Sequence, residues 1–524
     1  MLRQCRETHW ECKQSKQIET RLPTRVLFIG SKSDTTIKII EKSQDQARYM
    51  CLSHCWGNTK SIKTTNQNMS IHKINIPWTD LPKVYRDAIT FCRELEVQYL
   101  WIDSLCIKQD DEEDWAKESS NMASIYENSY LTLAATSARN HDESCASQLS
   151  AMHHFKDVGR IRLKDSVTSF PVLVRRPLFH PHNSSEWLEG DEQRKLHHLR
   201  AIDKLHKAAF PLLSRAWVFQ ERFLPTRVLH FLPNELMWEC KNGIECECQG
   251  ITPLSDLSRD FVQRKQFTTR PQRMTFEHCN ACERLRIWNE ILQGFTDLEL
   301  TFSKDRLPAI SGLAVKVQGD GDRYVAGLWE SSLPDALFWR RDMLNILMSQ
   351  IPSRPEPLAA PTWSWASISS AQLHFRARKC RACIGKQSTQ LESVDVRPAT
   401  ANPYGTVNAN ATLVISGTVS SGFLHLRGKR PFFVIAGTSI QFEFEPDYNL
   451  EHPGRYYVSH GTPLVCLFRE HKQTDDPKGY HTEGLILRGI IERSLRYERI
   501  GFAAVHVLNP EEFAMIHKSL FWLI

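Results

Sequence analysis

Between residues 49 and 136 three short apolar runs alternate with two amphipathic stretches, and that alternation admits few folds. Tyr49-Met-Cys-Leu-Ser53 and Val97–Ile102 are continuously apolar or nearly so, the pattern of strands covered on both faces. Tyr130-Leu-Thr-Leu-Ala-Ala-Thr136 reads as a third strand. Between the first two runs, Leu81-Pro82 opens a helix, because proline fits the first turn, where its missing N–H costs nothing. Val84, Ala88, Phe91 and Leu95 then fall at helical spacing and define its buried face. The acidic run Asp110–Asp114 precedes a second helix with Trp115, Met122 and Tyr126 along one face; negative charge is favoured at a helix N-terminus. The order β-α-β-α-β predicts an α/β domain with a parallel sheet and right-handed crossovers.

The rest of the chain divides less sharply. Residues 1–48 form a polar N-terminal extension, with Arg25-Val-Leu-Phe-Ile29 as an edge strand. A charged, His-rich insertion with little regular structure runs over about 138–213. The α/β pattern resumes with a helix around Trp217–Phe223, ended by Pro225, and the strand Arg227–Phe231, so that the α/β domain covers 49–235. Leu236–Glu239 can add one more strand, but 236–350 reads as mainly helical. The Pro-rich segment 352–361 marks a boundary. Beyond it Ala411–Ser416, Phe432–Ile435, Leu464–Phe468 and Gly484–Leu487 predict a β-rich domain over 351–524.

Bulk properties exclude several classes. Hydrophobic residues make up 41% and charged residues 24% of 524, a globular composition. The formal charge of +6 is spread along the chain without a Lys/Arg block, which argues against nucleic acid and anionic membranes as partners. No apolar stretch is long enough to span a membrane, and Met1–His9 has no apolar leader core. The fifteen cysteines are therefore expected to be reduced thiols in the cytoplasm.

Walker A, Gly-x-Gly-x-x-Gly, His-Glu-x-x-His and Gly-x-Ser-x-Gly signatures are missing from the sequence. Gly319-Asp-Gly-Asp322 lacks the spaced carboxylates of a calcium loop. Cys5-x-x-x-His9-x-x-Cys12 offers three metal donors, but zinc needs a fourth and none is near in sequence. The pairs Cys246/Cys248, Cys279/Cys282 and Cys380/Cys383 are widely separated, so ordinary thiols are favoured and no metal ligand is assigned.

What remains is a set of polar residues ending apolar runs: Ser53, Asp103 and, four residues after Trp217, Glu221. A spacing of four stacks Trp217 and Glu221 on one helical face. The carboxyl edges of parallel strands, where Ser53 and Asp103 are expected, are where ligands bind in α/β sheets. The plainer assignment makes Trp101 and Trp217 core residues, Asp103 a turn cap and Glu221 the partner of Arg222 or Arg215.

Tyr49-Met-Cys-Leu-Ser-His-Cys-Trp-Gly57 resembles the opening motif of the fungal heterokaryon incompatibility (HET) domain. Tyr99–Asp110 resembles its second motif and Arg215–Glu221 its third, with Leu81-Pro82, Asp87-Ala88, Asp114-Trp115, Met122 and Tyr126 also in place. Leu300–Leu313, Trp363-Ser-Trp365 and Arg499–Gly501 resemble pieces of longer members. His54 stands where the family usually has Tyr, exchanging a hydroxyl for a titratable nitrogen. The resemblance implies a protein of non-self recognition and programmed cell death, a form of fungal innate immunity.

The HET domain is in turn distantly similar to Toll/interleukin-1 receptor (TIR) domains, flavodoxin-like sheets of which some cleave NAD at the nicotinamide–ribose bond. Their catalytic glutamate follows a Trp by four residues on a helix, as Glu221 follows Trp217. This likeness implies Glu221 as the catalytic carboxylate, with Ser53, His54, Trp56, Gly57, Asp103 and Trp217 around NAD or a related nucleotide. NAD would be substrate; no cofactor is implied. The alternative is a non-enzymatic signalling module that self-associates and acts through protein partners.

Overall fold

The apolar runs of residues 49–136 become neighbouring strands of one eight-stranded sheet. The computed structural model describes residues 1–14, 19–41, 44–57, 62–145, 156–162, 168–174, 178, 206–248, 280–319, 321–341, 351–375, 383, 389–408, 410–428, 430–469, 472–473, 480–490, 495–507 and 517–524. They fall into two units, Met1–Arg270 and Pro271–Ile524.

In the first unit two short helices, α1 (Leu2–Thr8) and α2 (Trp10–Gln14), precede strands β1 (Val26–Phe28), β2 (Lys38–Ile40) and β3 (Tyr49–Ser53). Then follow α3 (Lys83–Glu94), β4 (Tyr99–Trp101), α4 (Asp103–Cys106), α5 (Glu112–Glu127) and β5 (Leu131–Ala134). Helix α6 (Ala216–Phe223) and strands β6 (Arg227–Phe231), β7 (Leu236–Cys240) and β8 (Gly243–Cys246) complete it. The sheet order is β8-β7-β6-β5-β3-β4-β1-β2.

Its centre, β4-β3-β5-β6, is parallel, with Tyr49 opposite Tyr99, Ser53 opposite Ala134 and Thr132 opposite Val228. In chain order these four strands run second, first, third, fourth, so the winding reverses between β3 and β5. Every residue of β3, β5 and β6 is buried, as the continuous apolar runs require of strands covered on both faces.

The sheet is nevertheless mixed rather than parallel throughout. Strand β1 pairs antiparallel with both β4 and β2, and β6, β7 and β8 form an antiparallel meander. The turns β1–β2, β6–β7 and β7–β8 are too short for the crossover that a parallel pair needs. The segment expected as an edge strand at Arg25–Ile29 thus lies one strand inside, with β2 at the rim.

Local chemistry explains the helices. Pro82 precedes α3, whose Val84, Tyr85, Ala88, Ile89 and Cys92 are buried at helical spacing. Asp111 caps α5, its side chain accepting from the Asp114 N–H at 3.0 Å. Asp114 in turn accepts from Arg25 Nη2 at 2.5 Å, so the acidic run initiates a helix and anchors β1. Within the His-rich insertion, Lys156–Arg162 and Ser169–Val174 pair as a hairpin.

In the second unit, helix Asn280–Phe295 and the short helix Ser311–Val317 are followed by a ten-stranded sheet built around the long strand Thr412–Arg427. Among the described residues of 236–350, strands β7 and β8 come before helix Asn280–Phe295. Arg499 is fully buried. Its Nε and Nη2 each donate to Asp447 at 3.0 Å, and its guanidinium lies 3.3 Å from the Trp339 ring centroid. Among the described residues, no helix is long and apolar enough to cross a membrane.

Candidate functional site

Strand β3 delivers Ser53 to the carboxyl edge of the sheet beside the point where its winding reverses, the position at which open α/β sheets bind ligands. Helix α6 brings Glu221 to the same place: Ser53 Oγ donates to Glu221 Oε2 at 2.5 Å across 168 residues of sequence. Both are almost fully buried, at 2% and 6% exposure. Burial raises the Glu221 carboxyl to about 7, and the nearby Asp103 carboxylate pushes the same way. Hydrogen bonds from Ser53 and Tyr126 and the charge of Arg215 oppose the rise.

Asp103 begins the short helix α4 directly after β4. Its Oδ2 accepts from Trp56 Nε1 at 2.9 Å and its Oδ1 from the Ser104 N–H at 2.7 Å. Burial raises its carboxyl as well, although the side chain keeps 23% exposure, so water screens part of that effect. Asp103 thus holds the indole of Trp56 and accepts from the next backbone N–H.

His54 follows β3 directly and packs between Tyr85 and Asp103. Its Nε2 lies 3.0 Å from the Tyr85 hydroxyl, which reaches Ser104 Oγ at 2.7 Å. Burial depresses the imidazole to about 3, with Arg215 and His141 adding repulsion, so the ring is neutral at physiological pH. Its 3.9 Å approach to Asp103 Oδ1 is accordingly not an ion pair. The ring packs edge-on to Tyr85 at 5.0 Å.

The loop after β3 is fixed from outside. His141 Nδ1 sits 2.5 Å from the Trp56 carbonyl oxygen, and Arg215 Nη1 donates to the His54 carbonyl at 3.4 Å. Gly57 has φ +69°, a conformation suited to glycine, and a Cβ there would collide with the Asn140 side chain. A cavity of about 310 Å³ opens nearby, lined by Leu81, Pro82, Lys83, Arg86, His141 and Asp142 among others. Its wall includes His141, which also contacts the loop after β3.

The structure thus brings Ser53, Asp103 and Glu221 together and puts Trp56 against Asp103. Trp217 is half-buried against the core of the sheet, edge-on to Trp115 at 6.3 Å. Trp101 is a core residue, edge-on to Tyr126 at 5.5 Å. Neither arginine flanking α6 pairs with Glu221 at the surface. Arg222 Nε donates to both oxygens of the fully buried Glu239 on β7, at 3.0 and 2.9 Å. Tyr126, Tyr85 and His141 were not singled out as site residues. The two tyrosines sit in the buried faces of α5 and α3, where a hydroxyl does not disturb the apolar spacing.

A mixed α/β sheet with a buried acid–hydroxyl pair at its winding reversal defines the class. Residues 49–221, about a third of the chain, match the family described as "Heterokaryon incompatibility protein (HET)". Over that stretch the chain is similar to a HET domain. No curated protein and no solved structure matches the chain.

Proposed function

We propose that the HET domain cleaves NAD at the nicotinamide–ribose bond, as the effector of a fungal non-self response that ends in cell death. The observation that carries this is the Ser53–Glu221 contact at the sheet edge, with Asp103 close enough to raise the Glu221 carboxyl. The remote TIR likeness, in which a helical glutamate serves ribose chemistry, supplies the role proposed for Glu221.

The reaction needs little from the protein. The bond from ribose C1′ to the pyridinium nitrogen breaks, its electron pair neutralises that nitrogen, and nicotinamide leaves without a general acid. Positive charge develops on the ribose, as in glycoside hydrolysis. The Glu221 carboxylate faces that charge and stabilises it in a buried setting where such an interaction is strong. Water adds to C1′ and loses a proton, giving ADP-ribose. Ser53 orients Glu221, and Trp56 and Gly57 line the approach held by Asp103.

The near-complete burial of Ser53 and Glu221 also favours a second reading. In it the domain is a non-enzymatic signalling module that self-associates or acts on protein partners in the cytoplasm. On the first reading, a partner or a second copy opens the buried site before a nucleotide enters.

Incubating the full-length protein with NAD, alone and at concentrations that drive self-association, and following nicotinamide release separates them. Glu221→Ala is expected to lower the rate by at least about 100-fold, the scale for loss of one preorganised electrostatic group. Full activity in that variant would remove Glu221 from the mechanism. Intact NAD under every condition would leave the signalling module.

A further inference from the structure

The three metal donors in the first turns of the chain acquire their fourth from the far side of the domain. Helices α1 and α2 are separated only by His9, whose backbone is extended (φ −82°, ψ 102°). The Cys12 and Lys13 N–H groups donate to the His9 carbonyl at 3.1 Å each. That break turns the Cys5 thiol, the His9 ring and the Cys12 thiol toward one point. Cys240, the last residue of β7, meets them there, its Sγ 3.2 Å from His9 Nδ1. The four donor atoms lie within 4.8 Å of one another. Cys5 and Cys240 are fully buried, Cys12 is 1% and His9 9% exposed.

We propose that Cys5, His9, Cys12 and Cys240 bind a structural zinc ion that staples the N-terminal helices to strand β7. Three thiolates and an imidazole are a zinc donor set, with bonds of about 2.3 Å to sulfur and 2.0 Å to nitrogen. The tetrahedral edges of such a site are about 3.8 Å between sulfurs, so the observed spread accommodates the ion with small side-chain adjustments. All four positions are filled by protein, which leaves no place for a reacting water; the site is structural rather than catalytic.

The surroundings suit the ion. Three thiolates, a neutral imidazole and a dication leave one net negative charge. Arg227, on β6 and 7% exposed, faces it: Nη2 donates to the Cys12 carbonyl at 3.2 Å, and the buried Nε has no hydrogen-bond partner among the described residues. The Asn242 N–H points at Cys240 Sγ from 3.4 Å, a backbone donor of the kind that supports zinc-bound thiolates. By contrast Cys51, Cys92, Cys106 and Cys466 are buried on single strands or helices and belong to no such cluster.

The consequence is topological. All four ligands lie outside residues 49–221, the stretch that matches the HET family, and zinc would tie the two segments flanking it to each other. Cys240 follows Glu239, which grips Arg222 beside Glu221, so the staple also steadies the strand that supports α6.

The test is metal analysis of the full-length protein, untagged and purified without chelator from zinc-supplemented medium. About one zinc per chain is expected, with Cys240→Ser reduced to a small fraction of it and Cys246→Ser unchanged. The second variant controls for the neighbouring group Glu235, Cys246 and Cys248. Should Cys240→Ser not fold, the wild type loaded with cobalt still decides. Strong thiolate-to-cobalt absorption with tetrahedral ligand-field bands supports the site, and weak octahedral bands overturn it. Substoichiometric zinc in the wild type, another metal at full occupancy, or a disulfide among Cys5, Cys12 and Cys240 would each overturn the proposal. So would zinc that survives Cys240→Ser but is lost in Cys246→Ser.

Discussion

Glu221 is held where its own ionisation works against the fold. A carboxyl raised from 4.5 to about 7 by burial binds its proton more tightly in the native protein than in the unfolded chain. Its favourable contribution is therefore complete below about pH 4.5 and is lost as pH rises through about 7, a change of about 3 kcal/mol. Glu221→Gln keeps the shape and removes the titration. In urea melts at pH 8 the variant is expected to be more stable than wild type, by up to about 3 kcal/mol, with the difference vanishing near pH 4. Equal stability at both pH values would mean that the carboxylate is solvated rather than buried. A residue that destabilises its own fold at neutral pH is what a functional acid costs, whereas a merely structural position would favour the amide.

At the scale of elements, the segments that run apolar for four or five residues were legible from sequence, and those defined by long-range partners were not. Strands β3, β5 and β6 and helices α3 and α5 declare themselves through burial periodicity and capping. Strand β1 was visible, but its place inside the sheet depends on pairing with β2, whose Lys38-Ile-Ile40 is too short to read. Trp217 has a partner that its four-residue spacing from Glu221 does not announce: Trp115 on α5, edge-on at 6.3 Å. Which residue turns toward Glu239 was equally hidden. That buried carboxylate binds Arg222 on α6 and lies 3.4 Å from His230 Nε2 on β6. Glu239→Ala would leave Arg222 without its anion and is expected to cost about 3–5 kcal/mol, as for one partner removed from a buried pair. Replacing both, as Arg222→Met with Glu239→Met, should recover most of that loss. A chemical-denaturation cycle over the four proteins checks it. Additive losses would show that the two side chains act independently.

At the scale of the molecule, the stretch that matches the HET family is not the unit that folds. Of the eight strands in its sheet, only β3, β4 and β5 fall within residues 49–221. Strands β1 and β2 come from the polar extension before it, and β6, β7 and β8 follow it. Cutting at 49 and 221 would strip β4 of β1 and β5 of β6, exposing two apolar strand edges of the kind that drive aggregation. Fully buried residues such as Val26, Leu27 and Val228 would go with the missing strands. A fragment of residues 49–221 is therefore expected to be insoluble or to associate non-specifically, whereas residues 1–248 should give a monodisperse, cooperatively melting protein. Size-exclusion chromatography and thermal melts of the two fragments decide it. A folded, monomeric 49–221 fragment would show that the antiparallel flanks are accessories to the parallel centre. If only 1–248 folds, the flanking strands are part of the domain, and the extension that carries Cys5, His9 and Cys12 is as necessary to the site at Ser53 and Glu221 as the motifs around them.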